Sequence, residues 1–180
     1  HNVIMLDVFM GYHEEEEDIT DIFNHTEEAS ADVAQIPGEA PDIAQVKAMR
    51  KDQSACFFGP NVIKICQAAD IVFMALHGEN GENGKIQAAF DLFGIQYTGS
   101  RYLGSALAMD KGISKKMFEA AGIPTPHGIA MSKTQRHTPF SETGLTLPCV
   151  VKPCCGGSSI GVTIVRTADE YEAALDEAFK

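Results

Sequence analysis

Basic residues are scarce in this chain. Against 25 Asp and Glu it has only 14 Lys and Arg in 180 residues, a formal net charge of −11. That balance argues against nucleic acid or an anionic membrane as the main partner. An anion must therefore be held by local chemistry and not by a global positive field. Long apolar runs are missing as well: the longest, Ile71 to Leu76, is far short of the ~20 residues of a membrane span. No basic stretch followed by an apolar one opens the chain as a secretory signal would. The cysteines, Cys56, Cys66, Cys149, Cys154 and Cys155, are odd in number and have no CxxC repeat, against a disulfide framework or a zinc site. The expectation is a reduced, cytoplasmic compartment, in which the sequon Asn24-His25-Thr26 is chance. What is present, 44% hydrophobic and 22% charged residues, is ordinary for a globular protein with a proper core.

The hydrophobic pattern divides the chain in two. Val3 to Phe9 reads as a buried strand. Gly11 to about Gln35 is acidic and reads as a solvated loop, since like charges in a row repel and lack metal-ligand spacing. Asp42 to Arg50 reads as a weak helix and Asn61 to Ala69 as a clearer one, with proline near its start. Ile71 to Leu76 reads as a strand buried on both faces. After a polar glycine loop come a helix from Lys85 to Phe93, ended by Gly94, and a short strand over Ile95 to Thr98. Strand, helix, strand at this spacing predicts a parallel α/β sheet. An amphipathic helix runs from Asp110 to Ala121, with Lys111 and Lys115 i,i+4 apart on a face separate from its apolar one. Gly122, Pro124 and Pro126 end it. Beyond this boundary two strands, Pro148 to Lys152 and Ile160 to Val165, flank a loop, and a helix starts near Thr167. Hairpin followed by helix is an α+β signature. The domains expected are therefore residues 1–122 and 123–180.

The loop itself reads PCCGGSSIG at 153–161. Redox chemistry, a metal and a phosphate are the candidates. Vicinal Cys154 and Cys155 make a poor disulfide and a poor zinc site without partners, so they read as structural thiols. Gly156, Gly157, Ser158, Ser159 and Gly161 let a backbone approach a ligand and turn N–H groups toward phosphate oxygens, and Lys152 would add an ammonium. A tight hairpin with a snorkelling lysine accounts for the same residues, and the residues alone leave both readings open. A Walker A motif is excluded by spacing, and the dinucleotide fingerprint fails because Ser158 stands where its second glycine belongs.

Five segments in order carry more information: LHGENGENGKIQ (76–87), YTGS (97–100), SALAMDK (105–111), AAGIPTP (120–126) and VKPCCGGSSIGV (151–162). Together they resemble the D-alanine–D-alanine ligase family of the ATP-grasp superfamily, over residues 71–180 closely and over 1–70 loosely. The resemblance implies a parallel-sheet amino-terminal (pre-ATP-grasp) α/β domain followed by the start of an α+β ATP-grasp domain. It implies an enzyme using ATP and Mg2+, with Mn2+ as an alternative metal, to phosphorylate one D-alanine so that the amine of a second attacks the acyl phosphate. Lys111 and Lys152 match lysines that contact ATP phosphates. Ser158 matches the serine linking the flexible loop to the substrate site, and Gly157, Ser159 and Gly161 shape that loop. His77 matches the histidine beside the first D-alanine, although a histidine ending a buried strand is by itself more often structural. Asn83, Ala88 and the Cys154-Cys155-Gly156 filling depart from the usual pattern.

The resemblance further implies a cytoplasmic homodimer in peptidoglycan precursor synthesis. The chain opens without Met and closes inside a helical pattern, so the expectation is an internal piece of a longer protein, inactive alone, with metal ligands and adenine pocket beyond Lys180. Rival readings are a D-alanine–D-lactate or D-alanine–D-serine ligase, another ATP-grasp carboxylate–amine ligase, and a non-catalytic ATP-binding module on the same scaffold.

Overall fold

In the computed structural model the described residues are 2–12, 19, 21–24, 38–50 and 52–180. Most of the expected acidic loop, and His25 and Thr26 of the sequon, lie outside them. The chain forms two compact units, residues 1–72 with 93–96, and residues 73–92 with 97–180.

The first unit contains α1 (Ile43–Met49) and α2 (Val62–Ala68). Asp42 caps α1 by accepting the Ala44 N–H at 2.8 Å, and α2 buries Val62, Ile65 and Cys66. The unit is also organised by a residue that sequence patterning passed over. Arg50 is only 4% exposed. Its guanidinium donates to the Cys56 carbonyl at 2.7 Å and the Phe58 carbonyl at 3.0 Å, pairs with Asp52, and lies 4.8 Å from the centre of the Phe9 ring. A buried cation persists only with such partners. The run Val3 to Phe9 is not a regular strand: the Asp7 carboxylate takes the N–H groups of Phe9 and Met10, both at 2.8 Å, and turns the chain. This is the competition of a short polar side chain with a ladder.

Nor is Ile71 to Leu76 a strand buried on both faces. The Val72 N–H does donate to the Gln96 carbonyl at 2.8 Å, as a ladder would. The next N–H on that edge, Met74, goes instead to the side-chain oxygen of Thr98 at 3.0 Å, and Phe73 is 78% exposed. A hydroxyl takes the place of a carbonyl and the regular ladder stops there.

The second unit holds α3 (Glu79–Glu82), α4 (Lys85–Phe93) up to Leu92, α5 (Tyr102–Met109), α6 (Lys111–Ala120), β1 (Cys149–Val151), β2 (Thr163–Val165) and α7 (Tyr171–Ala178). The strands pair antiparallel with Cys149 opposite Val165 and Val151 opposite Thr163. Alternation gives the hairpin two faces. Fully buried Val165 faces Tyr171, Ala174 and Leu175 of α7, with Cys149, Val151, Phe140 and Met131 around them. Phe140 and Tyr171 stack edge to face at 5.3 Å, and the Tyr171 hydroxyl reaches the Met131 sulfur at 3.2 Å. Val150 and Ile164, paired on the other face, stay exposed. Hairpin, loop and helix thus follow the pattern read from the sequence, and a capping box in which Thr167 and Glu170 satisfy each other's backbone opens the 3-10 turn Ala168–Glu170 that leads into α7.

Candidate functional site

The loop between β1 and β2 owes its shape to residues of left-handed backbone: Gly156 at φ 114°, Ser158 at 57° and Gly161 at 69°. Gly161 is also required by space, since a Cβ there would stand 2.9 Å from the Pro153 ring. Among the described residues, no backbone N–H from Cys155 to Gly161 is donated in a hydrogen bond. Gly157, Ser158 and Ser159 are exposed. Ser159 offers its carbonyl to the Val162 N–H at 3.2 Å, which turns the chain into β2. A strip of unspent donors on a left-handed backbone is the composition of an anion-binding nest.

Lys111 opens α6 and is tied to this loop. Its backbone N–H donates to the Cys154 carbonyl at 2.9 Å. Its ammonium donates to the Gly156 carbonyl at 2.8 Å and to the Cys154 carbonyl at 3.4 Å. These acceptors are neutral, so the positive charge is not cancelled. Lys152 follows the last residue of β1, exposed and without a hydrogen bond or ion pair among the described residues. The Lys111 ammonium reaching the loop from α6, the free N–H groups of the loop and Lys152 at the end of β1 are the kinds of group that a polyphosphate takes.

His77 stands apart from that cluster. Its side chain is 93% exposed, and Nδ1 lies 3.8 Å from an oxygen of Glu82. The second oxygen of Glu82 lies 3.7 Å from where a Cβ on Gly157 would be. Glu82 therefore lies between the histidine and the loop. Sequence reading passed over it although it lies in the same segment, five positions after His77. Lys115, noted only for its spacing, donates to Thr125 at 3.1 Å and to the Pro126 carbonyl, pinning the segment after α6.

Beside Glu82 lies a cavity of about 300 Å³, also lined by Gln87, Thr98, Ser100 and Ser105. Gln87 is 6% exposed; its amide N–H donates to the Gly81 carbonyl at 2.6 Å, and among the described residues its oxygen has no partner. The bond to Gly81 holds the turn that carries Glu82. Burial, then the neighbouring Asp110 carboxylate, pushes the Cys155 thiol above its ordinary value. A scarce thiolate is a poor nucleophile or soft-metal ligand, which favours the structural reading of the two cysteines. Among the described residues no three His, Cys, Asp or Glu side chains come together as a metal site.

Comparison with known proteins decides the family. The family model for the D-ala D-ala ligase N-terminus matches residues 6–100, and that for the D-ala D-ala ligase C-terminus matches 117–180. The chain belongs to the D-alanine–D-alanine ligase family. The D-alanine–D-alanine ligase of Lacticaseibacillus casei is 39% identical over 178 residues, which are 97% of this chain and 48% of that protein. That of Pediococcus pentosaceus is 39% identical over 181 residues, covering 100% of this chain and 50% of the relative. The chain thus spans about half the length of the curated relatives it matches. Among solved structures, the D-alanine–D-alanine ligase from Bacillus anthracis superposes with a TM-score of 0.60 at 40% identity, over 64% of this chain and 38% of that one. The VanG D-Ala:D-Ser ligase from Enterococcus faecalis gives 0.58 at 40% identity, over 62% and 33%. The mixed helix-and-sheet fold is that of the ATP-grasp ligases, as the motifs imply.

Proposed function

We propose that this chain belongs to an ATP-dependent ligase that joins two D-alanines through an acyl phosphate, in peptidoglycan precursor synthesis. The observation that carries the reading is the Lys111 ammonium bound to loop carbonyls beside a run of unspent N–H groups. ATP would supply the phosphoryl group. Lys111, Lys152 and the backbone of Gly157, Ser158, Ser159 and Gly161 would bind and orient its phosphates. Such positioning and electrostatic stabilisation is most of what phosphoryl transfer asks of a protein. Ser158, on its strained turn, and His77 would face the substrate carboxylate, with Glu82 orienting the imidazole. Mg2+, or Mn2+, would be held by groups outside this set.

We propose the domain boundary at residue 122, supported by Gly122, in a left-handed conformation that ends α6, and by Pro124 and Pro126 after it. Among the described residues no helix is long and apolar enough to cross a membrane. Cytoplasmic location and a homodimer belong to the proposal with D-alanine and ATP as ligands. The VanG neighbour, as similar as the D-alanine–D-alanine ligase of B. anthracis, favours D-serine as the rival second substrate. The reading is tested by ADP release from the full-length protein carrying these residues, in ATP and Mg2+. Release that rises with D-alanine and not with L-alanine is expected. Nucleotide binding with no response to any D-amino acid would leave the non-catalytic module instead.

A further inference from the structure

One residue separates α5 from α6, and it is Asp110. Its Oδ1 accepts the Ile113 N–H at 3.0 Å and so caps α6, while its carbonyl accepts the Ser114 N–H at 2.9 Å. Its Oδ2 lies 3.9 Å from the Cys155 sulfur in the loop. The neighbouring Gly112 leaves no spare room: a Cβ there would lie 3.2 Å from Asp110 Oδ1 and 3.5 Å from the Cys154 sulfur. The corner of α6 and the start of the loop are therefore packed side by side.

Lys111 is badly placed for its own helix. A cation in the first turn opposes the helix dipole, which favours anions there. A sequence keeps such a conflict where the residue serves something else. Asp110, an anion immediately before it and the cap of the same turn, offsets the conflict. The direction in which the Lys111 side chain leaves α6, toward the carbonyls of Cys154 and Gly156, depends on that first turn being formed.

We propose that Asp110 is a positioning residue for the candidate phosphate loop. Through its cap it holds the first turn of α6, and through the Cys155 contact it holds the loop against that turn. The loop then has its nucleotide-ready shape before any nucleotide arrives. The consequence for affinity rests on the reading that this loop binds phosphates; the consequence for loop geometry does not.

The two are separable in the full-length protein carrying these residues, without nucleotide. Amide exchange at Lys111 reports its bond to the Cys154 carbonyl, and amides of α7 serve as a reference for global unfolding. Asp110→Ala is expected to speed Lys111 exchange about fivefold, as loss of a cap would, with α7 unchanged. Asp110→Asn, which keeps a cap oxygen, is expected to restore the protection. Unaltered Lys111 exchange in Asp110→Ala would overturn the proposal.

Should the alanine variant fail to fold, Asp110→Asn still decides through the pH profile of Cys155 alkylation, resolved by mass spectrometry. Asp110, Cys154 and Lys111 are the charged or titratable groups acting on that thiol. Removing the carboxylate removes a cause that raises it, so the midpoint must move to lower pH. A midpoint that stays put would show that Asp110 does not face the loop and would equally overturn the proposal. Inorganic tripolyphosphate then tests the separate phosphate reading: weaker binding by Asp110→Ala than by Asp110→Asn is expected. Absence of binding by the unaltered protein would refute that reading and leave the exchange result standing.

Discussion

Lys152 is the residue whose substitution bears most directly on the phosphate reading. Among the described residues its ammonium has no partner, so Lys152→Ala should leave the fold intact. A charge-assisted bond of about 1.5–3 kcal/mol to phosphate corresponds to roughly ten- to hundredfold weaker ATP binding. Calorimetric titration of the full-length protein checks this, and an unchanged affinity would remove Lys152 from the site. Gly84 is the opposite case, a residue bearing on structure alone. Its φ is +87°, and a Cβ would stand 2.3 Å from the Tyr102 carbonyl oxygen. Left-handed strain and that overlap together should make Gly84→Ala destabilising by about 2 kcal/mol or more, read as a lowered melting temperature. At this scale the sequence was uneven. Lys152 and the loop glycines stood out by type and spacing, and Lys111 through the resemblance of its segment to the family motif. Arg50, Glu82, Gln87 and Asp110 did not, because their roles come from how irregular backbone folds back on them: Arg50 meets carbonyls six and eight residues on, Gln87 one six residues back, and Asp110 the loop at Cys155. Nothing in the order of residues signals that Arg50 will collect the carbonyls of Cys56 and Phe58.

At the scale of elements, α4, α6 and the β1–β2 hairpin were legible because their apolar residues repeat with the right period and end at Gly94, Gly122 and the loop glycines. The strands expected at Val3 to Phe9 and Ile71 to Leu76 were not. Apolarity gives no warning that Asp7 will cap a turn or that Thr98 will take the N–H of Met74. Two predictions belong here. Val165 is fully buried under α7, so Val165→Ala should cost about 2–3 kcal/mol in lost transfer energy and cavity, measured by denaturant melts. At the start of α7, the N–H groups of Arg166 and Thr167 hold the Glu170 carboxyl below its ordinary value. A lowered carboxylate contributes stability above its unfolded-state value, and that contribution is lost as pH falls through the folded one. Glu170→Gln should therefore be less stable than the parent at neutral pH, with the difference shrinking through the acid range. Equal melting temperatures at neutral pH would contradict the capping account.

For the whole molecule, the family was legible in the sequence because the five segments fall in one order. The second substrate was not, and neither the loop nor the cavity beside Glu82 distinguishes D-alanine from D-serine. The central claim is that this chain belongs to an enzyme making D-alanyl-D-alanine. The most direct test is product analysis by mass spectrometry, with full-length protein, ATP, Mg2+ and D-alanine, and with D-serine and D-lactate competing. The account predicts D-alanyl-D-alanine as the main product, formed together with phosphate. D-alanyl-D-serine or D-alanyl-D-lactate as the main product would contradict the specificity, and no ligated product under any mixture would contradict the activity itself.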